Sequence, residues 1–192
     1  RLSLVGSEMC IRDRGHALVL FTSYAAMSAV KDRLRERELS FPLFTLGRNA
    51  MHMTERFRQT PRAVLLATGA AWEGFDFPGD CVSLLVIPRL PFAYPDALKE
   101  KERENYPSLR QFIQNVAVPE MQIKLRQGFG RAIRTETDTC VIAILDERAS
   151  HGRRYYAAMR DALPDMRTTS SLRAVTKFLR ELKPESYFEV DA

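Results

Sequence analysis

Histidine, cysteine and tryptophan are scarce in this 192-residue sequence: three, three and one. His16, His52 and His151 show no metal-ligand spacing, and the cysteines Cys10, Cys81 and Cys140 include no CxxC pair. No zinc or iron–sulfur site is therefore supported within the chain. Cys81 and Cys140 each open an apolar run and read as buried, reduced thiols. Reduced thiols without a signal peptide point to the cytoplasm. No apolar run approaches the ~20 residues needed to cross a bilayer. No GxSxG occurs, which removes one common nucleophile turn. No GxxxxGK[ST] occurs either, so the usual backbone cradle and lysine for nucleotide phosphates are missing. If the chain handles ATP, another domain must hold most of it.

What is present is an ordinary globular composition, 45% hydrophobic and 28% charged, enough for one domain with a core. The net charge of +5 and pI near 9.3 permit an anionic partner such as nucleic acid without requiring one. The first stretch, Arg1 to Arg14, has no clean period and no turn logic. It reads as a non-native or unstructured leader; the other reading is a short native linker. The domain is placed at residues 15–184, with a tail at 185–192.

From His16 the pattern is regular. Strands are predicted at Ala17–Phe21, Phe41–Leu46, Ala63–Ala67, Val82–Ile87 and Val141–Leu145. A helix follows Ser23, a plausible N-cap, with apolar residues at Met27, Val30 and Leu34. Further helices are predicted at Met51–Arg58, Glu120–Ile133, Arg153–Leu163 and Ser171–Leu182. The charge run Lys99–Glu104 reads as a solvated helical face. Apolar strands alternating with amphipathic helices imply a parallel sheet covered on both faces. Function in such sheets gathers where strands end and helices begin.

Three segments carry chemistry. Gln127-Gly128-Phe129-Gly130-Arg131-Ala132-Ile133-Arg134 fits QxxGRxxR. On a helix Arg131 and Arg134 would share a face and form a clamp for phosphate oxygens. Gly130 would leave room for a ligand or another backbone. The competing reading is a surface helix with solvated arginines. Trp72-Glu73-Gly74-Phe75-Asp76 follows a buried strand and the Thr68-Gly69 turn. Its acidic residues could meet a ribose hydroxyl or an arginine across a cleft, and Gly74 permits close approach. The competing reading is a polar loop with Trp72 packed on the core. Phe21-Thr22-Ser23-Tyr24 puts hydroxyls at a strand-to-helix turn, suited to a nucleic-acid phosphate or simply to N-capping.

Taken with IPRLPFAYPDA and the strand before Asp146-Glu147-Arg148, these segments resemble the second RecA-like domain of the DinG/XPD family of superfamily-two DNA helicases, in its DinG branch. The likeness runs from His16 to about Leu182. Thr139-Cys140 and Val118-Pro119-Glu120-Met121 depart from the family pattern, away from the nucleotide motifs. The resemblance implies an α/β, P-loop NTPase-type parallel sheet with helices on both faces, lacking its own phosphate loop. It implies an ATP-dependent DNA helicase whose first RecA-like lobe, absent here, supplies the phosphate loop, the Mg²⁺ carboxylate and, in many relatives, an iron–sulfur cluster.

The same resemblance assigns Arg134 as arginine finger, with Arg131 beside it and Gln127 as a helper. Glu73, Gly74, Asp76 and Gly130 fall on the nucleotide side of the cleft. Thr22, Ser23, Thr68 and Trp72 fall on single-stranded DNA. It further implies 5′-to-3′ travel and work in DNA repair or replication. The alternative is a non-catalytic RecA-like module that binds nucleic acid or a partner; a phosphate loop encoded upstream separates the two. Without that loop, the purified 192-residue chain is expected to hydrolyse no ATP. A steady-state phosphate-release assay showing robust turnover would contradict the two-lobe reading.

Overall fold

The computed structural model describes residues 16–46, 50–72, 74, 77, 81–135 and 137–183. The predicted leader and tail, and the acidic residues Glu73 and Asp76, lie outside the described residues.

Five parallel strands form one sheet: β1 His16–Phe21, β2 Leu43–Thr45, β3 Val64–Thr68, β4 Val82–Ile87 and β5 Val141–Ile144, in the order β2-β3-β1-β4-β5. Every pairing is parallel, with β1 held between β3 and β4. The helices are α1 Tyr24–Arg35, α2 Ala50–Gln59, α3 Ala97–Glu104, α4 Leu109–Phe112, α5 Val118–Phe129, α6 Tyr156–Ala162 and α7 Leu172–Leu182. A π-helical turn, Ile113–Ala117, joins α4 to α5.

Alternation along the strands divides the core in two. Leu18, Leu20, Leu65, Ala67, Leu85 and Ile87 face one side, where they meet Phe57 of α2, Met121 and Leu125 of α5 and Met159 of α6. Ala17, Phe21, Val64, Leu66 and Leu84 face the other, where Met27 of α1 and Leu179 of α7 cover them. Strands buried on both faces explain why these segments read as continuous apolar runs.

The local signals behave as their chemistry requires. Ser23 caps α1, its hydroxyl accepting the Ala26 N–H at 3.2 Å. Asp96 caps α3 in the same way through the Lys99 N–H at 2.8 Å. The charge run is α3 itself, which buries none of its residues and is tied to α5 by Lys99 bridging Glu102 and Glu120. Those two carboxylates hold the Lys99 ammonium up at about 12. His16 opens β1 and hydrogen-bonds the Thr60 carbonyl at 2.9 Å; burial lowers its pKa.

One predicted boundary fails with consequences. The helix expected to run to Ile133 ends at Phe129, with Gly130 as its C-cap. The cap N–H turns back to the Arg126 and Gly128 carbonyls, and a tighter turn follows, in which the Arg131, Ala132 and Ile133 N–H groups donate to the Gly128 and Phe129 carbonyls. Arg131 and Arg134 therefore do not share a helical face.

At the carboxyl end of β5, Asp146 is buried and clamps two strands' ends. It accepts the Leu90 N–H at 2.9 Å, from the segment after β4. It also accepts the Arg148 backbone N–H at 3.0 Å and the Arg148 guanidinium at 2.7 Å. Arg148 in turn lies over the rings of Phe92 and Tyr155. Burial alone would raise the Asp146 pKa; the Arg148 side chain, the two backbone amides and the Arg148 charge outweigh it and bring it down to about 2. A depressed carboxylate stabilises the fold above its unfolded value of ~3.9 and loses that contribution as pH falls through about 2. Asp146→Ala strands the Leu90 N–H and is expected to cost ~2 kcal/mol. Urea unfolding at neutral pH checks this, and the difference from wild type should shrink progressively as the acid limb is approached.

Candidate functional site at the carboxyl ends of β1 and β3

The segments marked out by sequence meet at one edge of the sheet. β1 and β3 are neighbours and parallel, with Phe21 level with Thr68. Thr22 and Ser23 leave the end of β1, and the 3₁₀ turn Gly69–Trp72 leaves the end of β3. The Phe21 carbonyl, the last of β1, accepts two hydrogen bonds across this junction. Thr68 Oγ1 donates at 2.9 Å and Trp72 Nε1 donates at 2.8 Å.

Trp72 is thus a core residue. Its side chain is fully buried, so its ring cannot stack on a base, and the expected contact with DNA is corrected: the competing reading of Trp72 as core packing is the one the fold adopts. Thr68 is buried as well, with its hydroxyl proton committed to Phe21, and the expected DNA contact through that side chain is corrected for the same reason. Thr22 and Ser23 remain exposed, although the Ser23 hydroxyl is engaged as an N-cap.

α5 delivers the QxxGRxxR segment to the same junction. Gly128 packs directly on the indole. A Cβ built there would lie 2.6 Å from Trp72 Cζ3, 2.8 Å from Cε3 and 3.3 Å from Leu20 Cδ1. One turn on, Arg131 Nε donates to the Trp72 carbonyl at 3.2 Å. The arginine segment therefore sits against the 3₁₀ turn that ends at Trp72. Gln127 is exposed on the last turn of α5, and Gly74 is exposed just past the 3₁₀ turn.

Arg134 lies beyond the helix end with an exposed side chain. Its backbone position is fixed by Asp138, whose Oδ2 accepts the Arg134 N–H at 2.9 Å and the Thr135 N–H at 3.0 Å. Those two bonds lower the Asp138 pKa. Sequence reasoning missed both Gly128 and Asp138. A glycine inside a helix is costly enough to have flagged the first. Asp138 carried no signal, because a carboxylate four residues downstream of an arginine is common on any surface.

Gly130 behaves unlike Gly128. Its φ is −63°, and a Cβ there would meet the Gln127 carbonyl oxygen at 3.5 Å, an ordinary contact. The fold does not need glycine at 130. Among the described residues no group of three His, Cys, Asp or Glu could hold a metal ion, and Cys81 and Cys140 form no disulfide. No helix among the described residues is long and apolar enough to cross a membrane.

A five-stranded parallel sheet with helices on both faces, and an arginine segment set against the turn after its third strand, defines a RecA-like lobe. XPD helicase has the same architecture, with a TM-score of 0.65 at 18% identity over 82% of this chain and 28% of that one. Yeast Dbp5 bound to RNA and ADP–BeF₃ matches with a TM-score of 0.57 at 16% identity, over 93% of this chain and 41% of that one. The chain belongs to the helicase C-terminal domain family, which it matches over residues 7–166. Its relatives are of the DinG and YoaA type. The ATP-dependent DNA helicase YoaA of Haemophilus influenzae is 34% identical over 170 residues, 88% of this chain and 26% of the relative. The ATP-dependent helicase DinG of Mycobacterium tuberculosis is 33% identical over 179 residues, 92% of this chain and 27% of the relative. The 3'-5' exonuclease DinG of Bacillus subtilis is 33% identical over 82% of this chain and 18% of the relative. The chain thus spans about a quarter of the length of the first two relatives.

The two glycines separate packing from chemistry. Gly128→Ala drives a methyl into Trp72 and is expected to destabilise the lobe by ~1–3 kcal/mol. Gly130→Ala is expected to leave stability unchanged or raise it by up to ~1 kcal/mol. Paired thermal melts check both; equal melting temperatures for the two variants would overturn the assignment of Gly128 to the indole.

Proposed function

We propose that this chain is the C-terminal motor lobe of an ATP-dependent DNA helicase, supplying the arginine finger and part of a single-stranded DNA track. The observation that supports the reading is the Arg131 bond to the Trp72 carbonyl. It brings the QxxGRxxR segment to the residue that opens the Trp-Glu-Gly motif, 59 residues away in sequence.

In this reading ATP lies between this lobe and a first lobe, which contributes the phosphate loop and the Mg²⁺ carboxylate. Mg²⁺ neutralises charge on the phosphates when bound; this chain's own part is to place guanidinium charge. Arg134 reaches the phosphoryl group as the lobes close, and Arg131, held by the turn, sets its approach. The C-cap at Gly130 supports this division. Arg134 lies past the end of α5 with an exposed side chain, which suits a residue that must meet a ligand. Gln127, Gly74 and Gly130 line the same side. Glu73 and Asp76 are proposed at the nucleotide edge from their place in the motif. Thr22 and Ser23, exposed at the end of β1, are proposed to contact the DNA backbone. Hinged closure on ATP and reopening on ADP would shift one lobe along the strand, with 5′-to-3′ travel and repair or replication as the setting.

The test is the protein carrying both lobes. Arg134→Ala should lower DNA-stimulated ATP hydrolysis by about 10³-fold or more and leave single-strand affinity nearly unchanged. Wild-type turnover in that variant refutes the finger. Absence of ATP hydrolysis in the unmutated two-lobe protein would favour the non-catalytic module instead. Unwinding of a 5′-tailed duplex but not a 3′-tailed one supports the direction, and the reverse overturns it.

A further inference from the structure

The burial of Trp72 removes the one aromatic side chain that the motif reading gave to the DNA track. Another aromatic nearby is exposed. Tyr24 opens α1 directly after Thr22 and Ser23, and the residue is 67% exposed. It lies beside the turn at the end of β3. A Cβ built on Gly69 would be 3.4 Å from the Tyr24 Oη and 3.9 Å from Cε2 and Cζ. Gly69 has a φ of +61°, a left-handed conformation that disfavours side chains, so the ring rests beside bare backbone. On the other side of β1, β4 is followed by Pro88 and Arg89. Arg89 is exposed.

The adjacent strands β1 and β4 are therefore followed by an exposed ring, the exposed residues Thr22 and Ser23, and the exposed Arg89. Core packing does not cover this ring, which leaves its face open to a ligand. Hydroxyls and a guanidinium beside a ring match the two parts of a nucleotide: charged backbone and flat base.

We propose that Tyr24 is a stacking platform for a base of the single-stranded DNA, with Thr22, Ser23 and Arg89 on the flanking phosphates. The proposal rests on the helicase reading above and adds to it the residue that grips a base. Stacking on a π-face tolerates every base, so the grip holds the strand without selecting its sequence, as translocation requires. The ring's place between β1 and the Gly69 turn also links it, through Thr68 and Trp72, to the Phe21 carbonyl and so to the arginine segment.

The experiment uses the protein carrying both lobes and a fluorescently labelled oligothymidine. Tyr24→Ala and Tyr24→Leu are expected to weaken binding by ~5- to 100-fold, while Tyr24→Phe and Tyr24→Trp stay close to wild type. The salt dependence of binding should keep its slope in all four, because stacking releases no counterions. Arg89→Ala should instead lower that slope by ~1. A strand carrying 2-aminopurine should be quenched by wild type and by Tyr24→Phe, and not by Tyr24→Leu. Affinity in Tyr24→Leu equal to wild type overturns the platform, as does a Tyr24→Phe variant as weak as Tyr24→Ala, which would assign the effect to the hydroxyl. If the unmutated two-lobe protein binds no single strand, the helicase reading fails with it; if it binds and the leucine variant binds equally, the platform alone fails.

Discussion

A single carbonyl oxygen, that of Phe21, organises this lobe. It lies at the last residue of the central strand and accepts both the Thr68 hydroxyl and the Trp72 indole N–H. A buried carbonyl with two lone pairs is well satisfied by two donors, and leaving either donor unpaired inside the core would be costly. The indole so fixed presents its edge to Gly128 and its backbone carbonyl to Arg131. Three segments far apart in sequence are thus referred to one atom. The functional edge of the sheet inherits its geometry from that packing.

The division of labour between core and edge follows. Residues that fix the junction, such as Thr68, Trp72 and Gly128, are buried and have no side-chain surface left for a ligand. The exposed residues are those just outside them: Thr22, Ser23, Tyr24, Gln127 and Arg134. A motif read as one functional string therefore contains two kinds of residue, and only exposure tells them apart. Asp146 does similar structural work at the neighbouring strand ends, holding the segment after β4 to the end of β5.

Much of this was legible in the sequence. The strands were found because each reads as an apolar run: β1, β3 and β4 are buried on both faces, and the shorter β2 and β5 are partly buried. The Ser23 cap was legible because its chemistry is local. The end of α5 was not: Gln127 to Arg134 continues a helical pattern, and only the Gly130 cap, a tertiary choice, breaks it. The buried state of Trp72 was one of two readings the sequence left open. Its neighbours on the motif are polar, and what encloses it comes from Leu20 and Gly128, more than 50 positions away in either direction. Gly128 itself was passed over because the motif drew attention to the other glycine. The placements of Glu73 and Asp76 rest on the motif alone.

The two strands at the margins of the sheet are its shortest, three residues in β2 and four in β5. A free strand margin exposes unpaired amide and carbonyl groups that can recruit another chain, and brevity is one way proteins blunt that hazard. Each margin here offers little more than a single repeat of the ladder. A domain built this way presents little strand margin for another chain to pair with.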